Sequence, residues 1–126
     1  MRNLLFAQPE APPPPAAIEI IGALEQARLL LGDGPGLAKH HAIDWVDGWP
    51  CYCLVAAITH ASRTKQIRDA AIQAVMRALP GALIAKGLRP SSCRRIEDFN
   101  DHPSTTVEDA KTVLQRAKSY AGSVAA

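Results

Sequence analysis

Between Ile67 and Ala78 six apolar residues, Ile67, Ala70, Ala71, Ala74, Val75 and Ala78, share one face of a 3.6-residue period, and four of them are alanine. Such a stripe lets helices approach closely and gives little to a pleated sheet, whose faces favour β-branched and aromatic side chains. Aromatic residues are only 5% of the chain, which points the same way. The expected fold class is all-α, a compact bundle of four to five short helices.

Further stripes and stops divide the chain. Ile20, Leu24, Ala27 and Leu31 mark a first helix from about Ala17, ended by Gly32-Asp33-Gly34-Pro35-Gly36. A second helix is expected from Cys51 to Ala61 and the third from Lys65 to Leu79, closed by Pro80-Gly81, with short helices at Ala82–Ala85 and at Cys93–Phe99, the latter capped by Ser92. Thr105-Thr106-Val107-Glu108 reads as a capping box with Glu108 at the third helical position, opening a last helix with Val107, Ala110, Leu114, Ala117 and Ala121 inward. From Leu37 to Pro50 the pattern is irregular. Asp47-Gly48 suits a hairpin turn while Pro50 weakens the second arm, so the segment reads as a structured loop with room for a small two-stranded ribbon at residues 42–52. Ile72 and Met76 fall on the polar side of the third helix, where they either touch another helix or offer a homo-oligomer contact.

The domain organisation that follows is a flexible proline-rich tail at residues 1–16, one helical domain at 17–122 and a disordered C-terminus at 123–126. No apolar run approaches the ~18 residues of a membrane span, and the opening Met1 to Ala7 is too short for a secretion signal. Three cysteines, two of them one residue apart, argue against a disulfide framework. A cytoplasmic protein without membrane association is expected.

Charge is unevenly placed. Residues 63–95 carry eight basic side chains, Arg63, Lys65, Arg68, Arg77, Lys86, Arg89, Arg94 and Arg95, against the single acid Asp69, whereas residues 96–109 carry five acids and no base. A basic stretch of this kind attracts an acidic protein surface or duplex phosphate, or is neutralised by the acidic segment after it. Residues 63–95 hold no aromatic residue to stack on bases, which disfavours single strands. A helix-turn-helix over residues 51–79 lacks the usual turn glycine at Ser62-Arg63-Thr64.

Two motifs stand apart from the helical scaffold: Trp49-Pro50-Cys51-Tyr52-Cys53-Leu54-Val55-Ala56-Ala57-Ile58, and Ile96-Glu97-Asp98-Phe99-Asn100-Asp101 before the threonine cap. Together they resemble an uncharacterised family of small phage and bacterial proteins. In that family a cysteine-containing segment enters an alanine-rich helix and an aromatic-Asn-Asp turn follows some forty residues later. Ala56 stands where that family usually has glycine, and Phe99 where it has tryptophan. The resemblance implies the helical layout over about residues 18–120 and no reaction, substrate or cofactor. A buried Asn100 or Asp101 bonding the loop around Trp45 and Trp49 would account for both motifs structurally.

Thiol chemistry would use Cys51 or Cys53 at a helix start, His40, His41 or His102 as base, and Asn100 or Asp101 to orient it. His60 lies seven residues from Cys53, roughly 10.5 Å along one helix and too far for direct proton transfer. The spacing of Cys51, Cys53 and Cys93 fits no familiar zinc module, and common cofactor-binding and hydrolase signatures are missing, so neither metal nor cofactor is expected. The leading expectation is a non-enzymatic interaction protein that binds a macromolecular partner, most naturally a protein, through the basic segment; the phage-like resemblance suggests an inhibitor of host defence. A duplex nucleic-acid-binding regulator and a cysteine-dependent enzyme are the alternatives.

Overall fold

The structure, a computed structural model, describes residues 13–32, 36–87 and 96–122. Expectations for residues 1–12 and 123–126, for Ser92 and Cys93, and for Arg89, Arg94 and Arg95 fall outside these.

Helix α1 (Ala17–Leu31) begins where the Glu19 carboxylate turns back to accept the backbone N–H of Ala16 at 3.1 Å. It buries Ile20, Ala23, Leu24, Ala27 and Leu31, the expected stripe, against three of the other helices. Gly32 ends it at φ 59°, a left-handed backbone that glycine adopts without a Cβ clash.

The irregular segment forms a ribbon. Strand β1 (Ile43–Val46) pairs antiparallel with β2 (Trp49–Tyr52) in the register Ile43–Tyr52, Asp44–Cys51, Trp45–Pro50 and Val46–Trp49. Asp47 and Gly48 sit at φ 52° and 81°, the two positive values that a two-residue turn needs to match the strand twist. Pro50 is tolerated because each strand of a two-stranded ribbon has an unpaired outer edge, where a missing N–H breaks no ladder bond.

Because β2 takes Cys51 and Tyr52, α2 runs over Leu54–Ala61 and not from Cys51. Cys53 is its N-cap, with Sγ accepting the N–H of Ala56 at 3.3 Å. Leu54, Ala56, Ala57 and Ile58 face the core.

Helix α3 (Lys65–Ala85) starts at Thr64, whose hydroxyl accepts the N–H of Ile67 at 3.1 Å. It does not stop at Pro80-Gly81 but continues through them and absorbs the separate helix expected at Ala82–Ala85. Leu79 and Leu83 carry the buried stripe past the proline. Burying a leucine contributes about 1.5–3 kcal/mol, enough to offset most of the ~3 kcal/mol cost of an interior proline. Ile72 and Met76 rest half-buried against the core.

Helix α4 (Ile96–Asp101) extends past Phe99, so Asn100 and Asp101 belong to its last turn and not to a turn beyond it. The cap of α5 (Val107–Ala117) lies one residue later than expected: Thr106 Oγ1 accepts the N–H of Asp109 at 3.2 Å and Asp109 Oδ2 accepts that of Thr106 at 2.9 Å. Lys86 on Asp109 at 2.7 Å favours that register, while Thr105 is drawn inward and buried, its hydroxyl without a hydrogen-bond partner. Ala110, Val113, Leu114 and Ala117 complete the core around Phe99, and a 3-10 turn (Lys118–Tyr120) follows. There Lys118 pairs with Glu25 of α1, which also pairs with Arg28. Among the described residues no helix is long and apolar enough to cross a membrane.

Candidate functional site

The two motifs meet where the ribbon joins the helices. Asn100, buried in α4, accepts the N–H of Leu54 at 2.9 Å through Oδ1 and donates through Nδ2 to Ala38 O at 2.8 Å and to Asp101 Oδ1 at 3.0 Å. One amide thus holds the chain just before the ribbon and just after it. The ribbon's root closes with Cys53 N–H to Ala42 O at 2.9 Å and Ala38 N–H to Tyr52 O at 3.3 Å.

Asp101 and Lys39 complete the clamp. Asp101 Oδ1 accepts the backbone N–H of His40 at 2.9 Å, and its Oδ2 lies 3.4 Å from His40 Nδ1. That bond fixes His40 at φ 63°, a left-handed conformation that turns the chain toward β1. The His40 N–H, more than any other group, holds the Asp101 carboxyl below its ordinary pKa. Lys39 extends inward and donates from Nζ to the carbonyls of Asn100, of His102 at 2.9 Å and of Thr105 at 2.8 Å, capping the end of α4 with a positive charge. Burial in that nest lowers the Lys39 pKa.

A cavity of about 310 Å³ opens beside the clamp. Cys53, Val55 and Ala42 line one part, and His40, His41, Glu97, Asn100 and Asp101 the rest. Of the residues expected for thiol chemistry, Cys53, Asn100 and Asp101 are brought together here with the candidate bases His40 and His41. Cys51 is buried in β2, and the His102 ring turns to its own loop, with Nδ1 accepting the Ser104 N–H at 3.1 Å. His60 lies against Tyr52, ring centroids 5.2 Å apart, on the other flank of the ribbon's root. Among the described residues no three His, Cys, Asp or Glu side chains are placed to hold a metal ion.

The ribbon carries two large apolar side chains into solvent, Trp45 at 68% exposure and Trp49 at 72%. Since paired residues share a face, Trp45 with Pro50 and Trp49 with Val46 project to opposite sides near the tip. Tyr52, at the root, packs on the helical core. Sequence reasoning placed both tryptophans in the irregular segment without assigning them a role; Asp47-Gly48 was the signal that they flank a turn.

The expected basic surface is dispersed over the described residues. Arg63 and Lys65 are exposed at the α2–α3 corner. Arg68 pairs with Asp69 at 2.9 Å, and Arg77, nine residues further, lies about half a turn around α3 from it. Lys86 is committed internally to Asp109 and to the carbonyl of Ser104 at 2.9 Å.

No curated protein and no solved structure matches the chain. Residues 15–120, the stretch that contains every described helix, the ribbon and the clamp, match the model of the family of unknown function DUF6197, and the chain belongs to that family.

Proposed function

We propose that this chain is a non-enzymatic interaction module that binds a protein partner, with the ribbon tip as its principal contact and the helical bundle as its support. The observation that carries this reading is the exposure of Trp45 and Trp49 on a ribbon whose root is tied to the core by Asn100. Exposed indoles do nothing for the core, and tryptophan is among the residues that contribute most at protein interfaces. A ribbon already fixed at its root loses little conformational freedom when it docks. Arg63 and Lys65 are the described members of the basic segment best placed to add a second, electrostatic contact.

Affinity capture from the native host tests this with three forms of the chain: unaltered, Trp45→Ala/Trp49→Ala, and Arg63→Glu/Lys65→Glu. The expected result is a stoichiometric protein partner lost with the tryptophan pair and kept by the charge reversal. Retention by the tryptophan variant, with loss only on charge reversal, moves the contact to the basic segment. Capture of nuclease-sensitive material supports the nucleic-acid alternative.

A second reading, a cysteine-dependent activity, draws on the cavity that Cys53 shares with His40, whose imidazole Nδ1 faces Asp101. Alkylation of the native protein with a mass readout decides it. Labelling of Cys53 no faster than an exposed model thiol at neutral pH removes this reading.

A further inference from the structure

The charge around the ribbon is one-sided. Asp44 and Asp47 lie on the ribbon, and Glu97 and Asp101 line the cavity at its root. Lys39, the single Lys or Arg between residues 36 and 54, has its ammonium turned onto the carbonyls that end α4. Among the described residues, what this face offers a partner is therefore carboxylates and indoles, with the imidazoles of His40 and His41 at the cavity.

The cavity's lining narrows the chemistry further. Ala42 and Val55 give it apolar wall, and Glu97, an exposed residue of α4, makes no ion pair among the described residues. Asp101 adds charge, but its oxygens already take bonds from His40 and Asn100. An aliphatic stem ending in a cation fits such a lining: its methylenes lie along the apolar wall while its head reaches the carboxylates. A guanidinium suits it better than an ammonium, because a flat, weakly hydrated fork pairs with carboxylates and stacks on indole. Trp49 shares the Ala42–Cys53 face of the ribbon, because residues 49 and 53 are an even number apart, and it stands about 13 Å from Cys53 along the extended chain, the span of four residues of an extended peptide.

Resting on the ribbon reading above, we propose that the partner segment is arginine-bearing, with one guanidinium in the cavity against Glu97 and a second, four residues along, on the face of Trp49. The surface is thus a reader of spaced arginines on another protein.

The probe is a blocked peptide, Arg-Gly-Gly-Gly-Arg, titrated into the full chain at physiological salt with tryptophan fluorescence as readout, beside versions carrying lysine or neutral citrulline at the same positions. The arginine peptide is expected to saturate the signal at one site and the citrulline peptide to give none. Glu97→Gln should weaken binding about fivefold, and Trp49→Phe, which keeps a ring but weakens the cation–π contact, should weaken it less than Trp49→Ala. Equal binding of the lysine and arginine peptides, an unchanged Glu97→Gln titration, or no arginine signal overturns the inference. If partner capture still depends on Trp45 and Trp49 while the arginine peptide fails, the ribbon reading stands and the arginine assignment falls; if capture ignores both tryptophans, the ribbon reading falls as well.

Discussion

Asn100 and Leu54, 46 residues apart in the chain, are joined by a 2.9 Å hydrogen bond from the Leu54 N–H to the Asn100 side-chain oxygen. The same amide donates to Ala38 O, so one buried side chain fastens the start of α2 to the segment that leads into the ribbon. Its role is geometric, and it supports both readings of the surface beside it.

Replacing Asn100 by alanine leaves a buried N–H and a buried C=O without partners, at about 1–3 kcal/mol each. The expected loss on urea denaturation is about 2–6 kcal/mol. Asn100→Asp keeps the acceptor for Leu54 but places a second carboxylate beside Asp101, and should also be destabilising.

Lys39→Met keeps the aliphatic stem and removes the ammonium that three carbonyls share. A loss of about 1–3 kcal/mol is expected. Faster amide exchange should be confined to α4 and the 102–106 loop, and exchange spread evenly over the bundle would contradict the capping role.

Acid should destabilise the fold in a defined window. Arg28 and Lys118 hold the Glu25 carboxyl at about 2, down from 4.5, and Asp101 and Asp109 are lowered by the His40 N–H and by Lys86 respectively. For carboxyls with depressed folded pKa values, the stabilisation is complete above the unfolded value and is lost as pH falls through the folded one. Thermal melts should therefore be steady above about pH 5 and fall between about pH 4.5 and 2, and Glu25→Gln should flatten that fall.

Gly48→Ala should cost about 1–2 kcal/mol through backbone strain alone, since φ is +81° and an added Cβ meets nothing within 4 Å. Leu83→Ala is expected to cost about 2–5 kcal/mol and to fray α3 beyond Pro80, measurable by denaturation and by exchange at residues 81–86.

The buried stripes were legible because periodicity reports burial directly. Ile20, Leu24, Ala27 and Leu31 in α1, and Ala110, Leu114, Ala117 and Ala121 at the C-terminal end, are all buried where the spacing put them. Boundaries were less legible. Pro80 reads as a stop because its cost is local, whereas the burial of Leu83 that offsets it is tertiary. The α5 cap slipped from Thr105 to Thr106 because Lys86, distant in sequence, rewards Asp109 in that register. In the site, Asn100 could be read as a structural anchor from its motif. Lys39 could not, since a lone lysine has no pattern and its three acceptors come from another part of the chain. Among the described residues of the basic segment, helix geometry sets Arg68 and Arg77 on opposite sides of α3, a separation that a linear count does not show.

The hydrogen bond between Cys53 N–H and Ala42 O closes residues 43–52 into a unit that enters and leaves the bundle at one place. Changes at the tip, from Trp45 to Trp49, can accumulate without touching Asn100 or the core, as an interchangeable fitting on a constant handle. The ribbon can thus be exchanged while the helical body stays the same, and a foreign hairpin of equal length and register is the natural graft to try there.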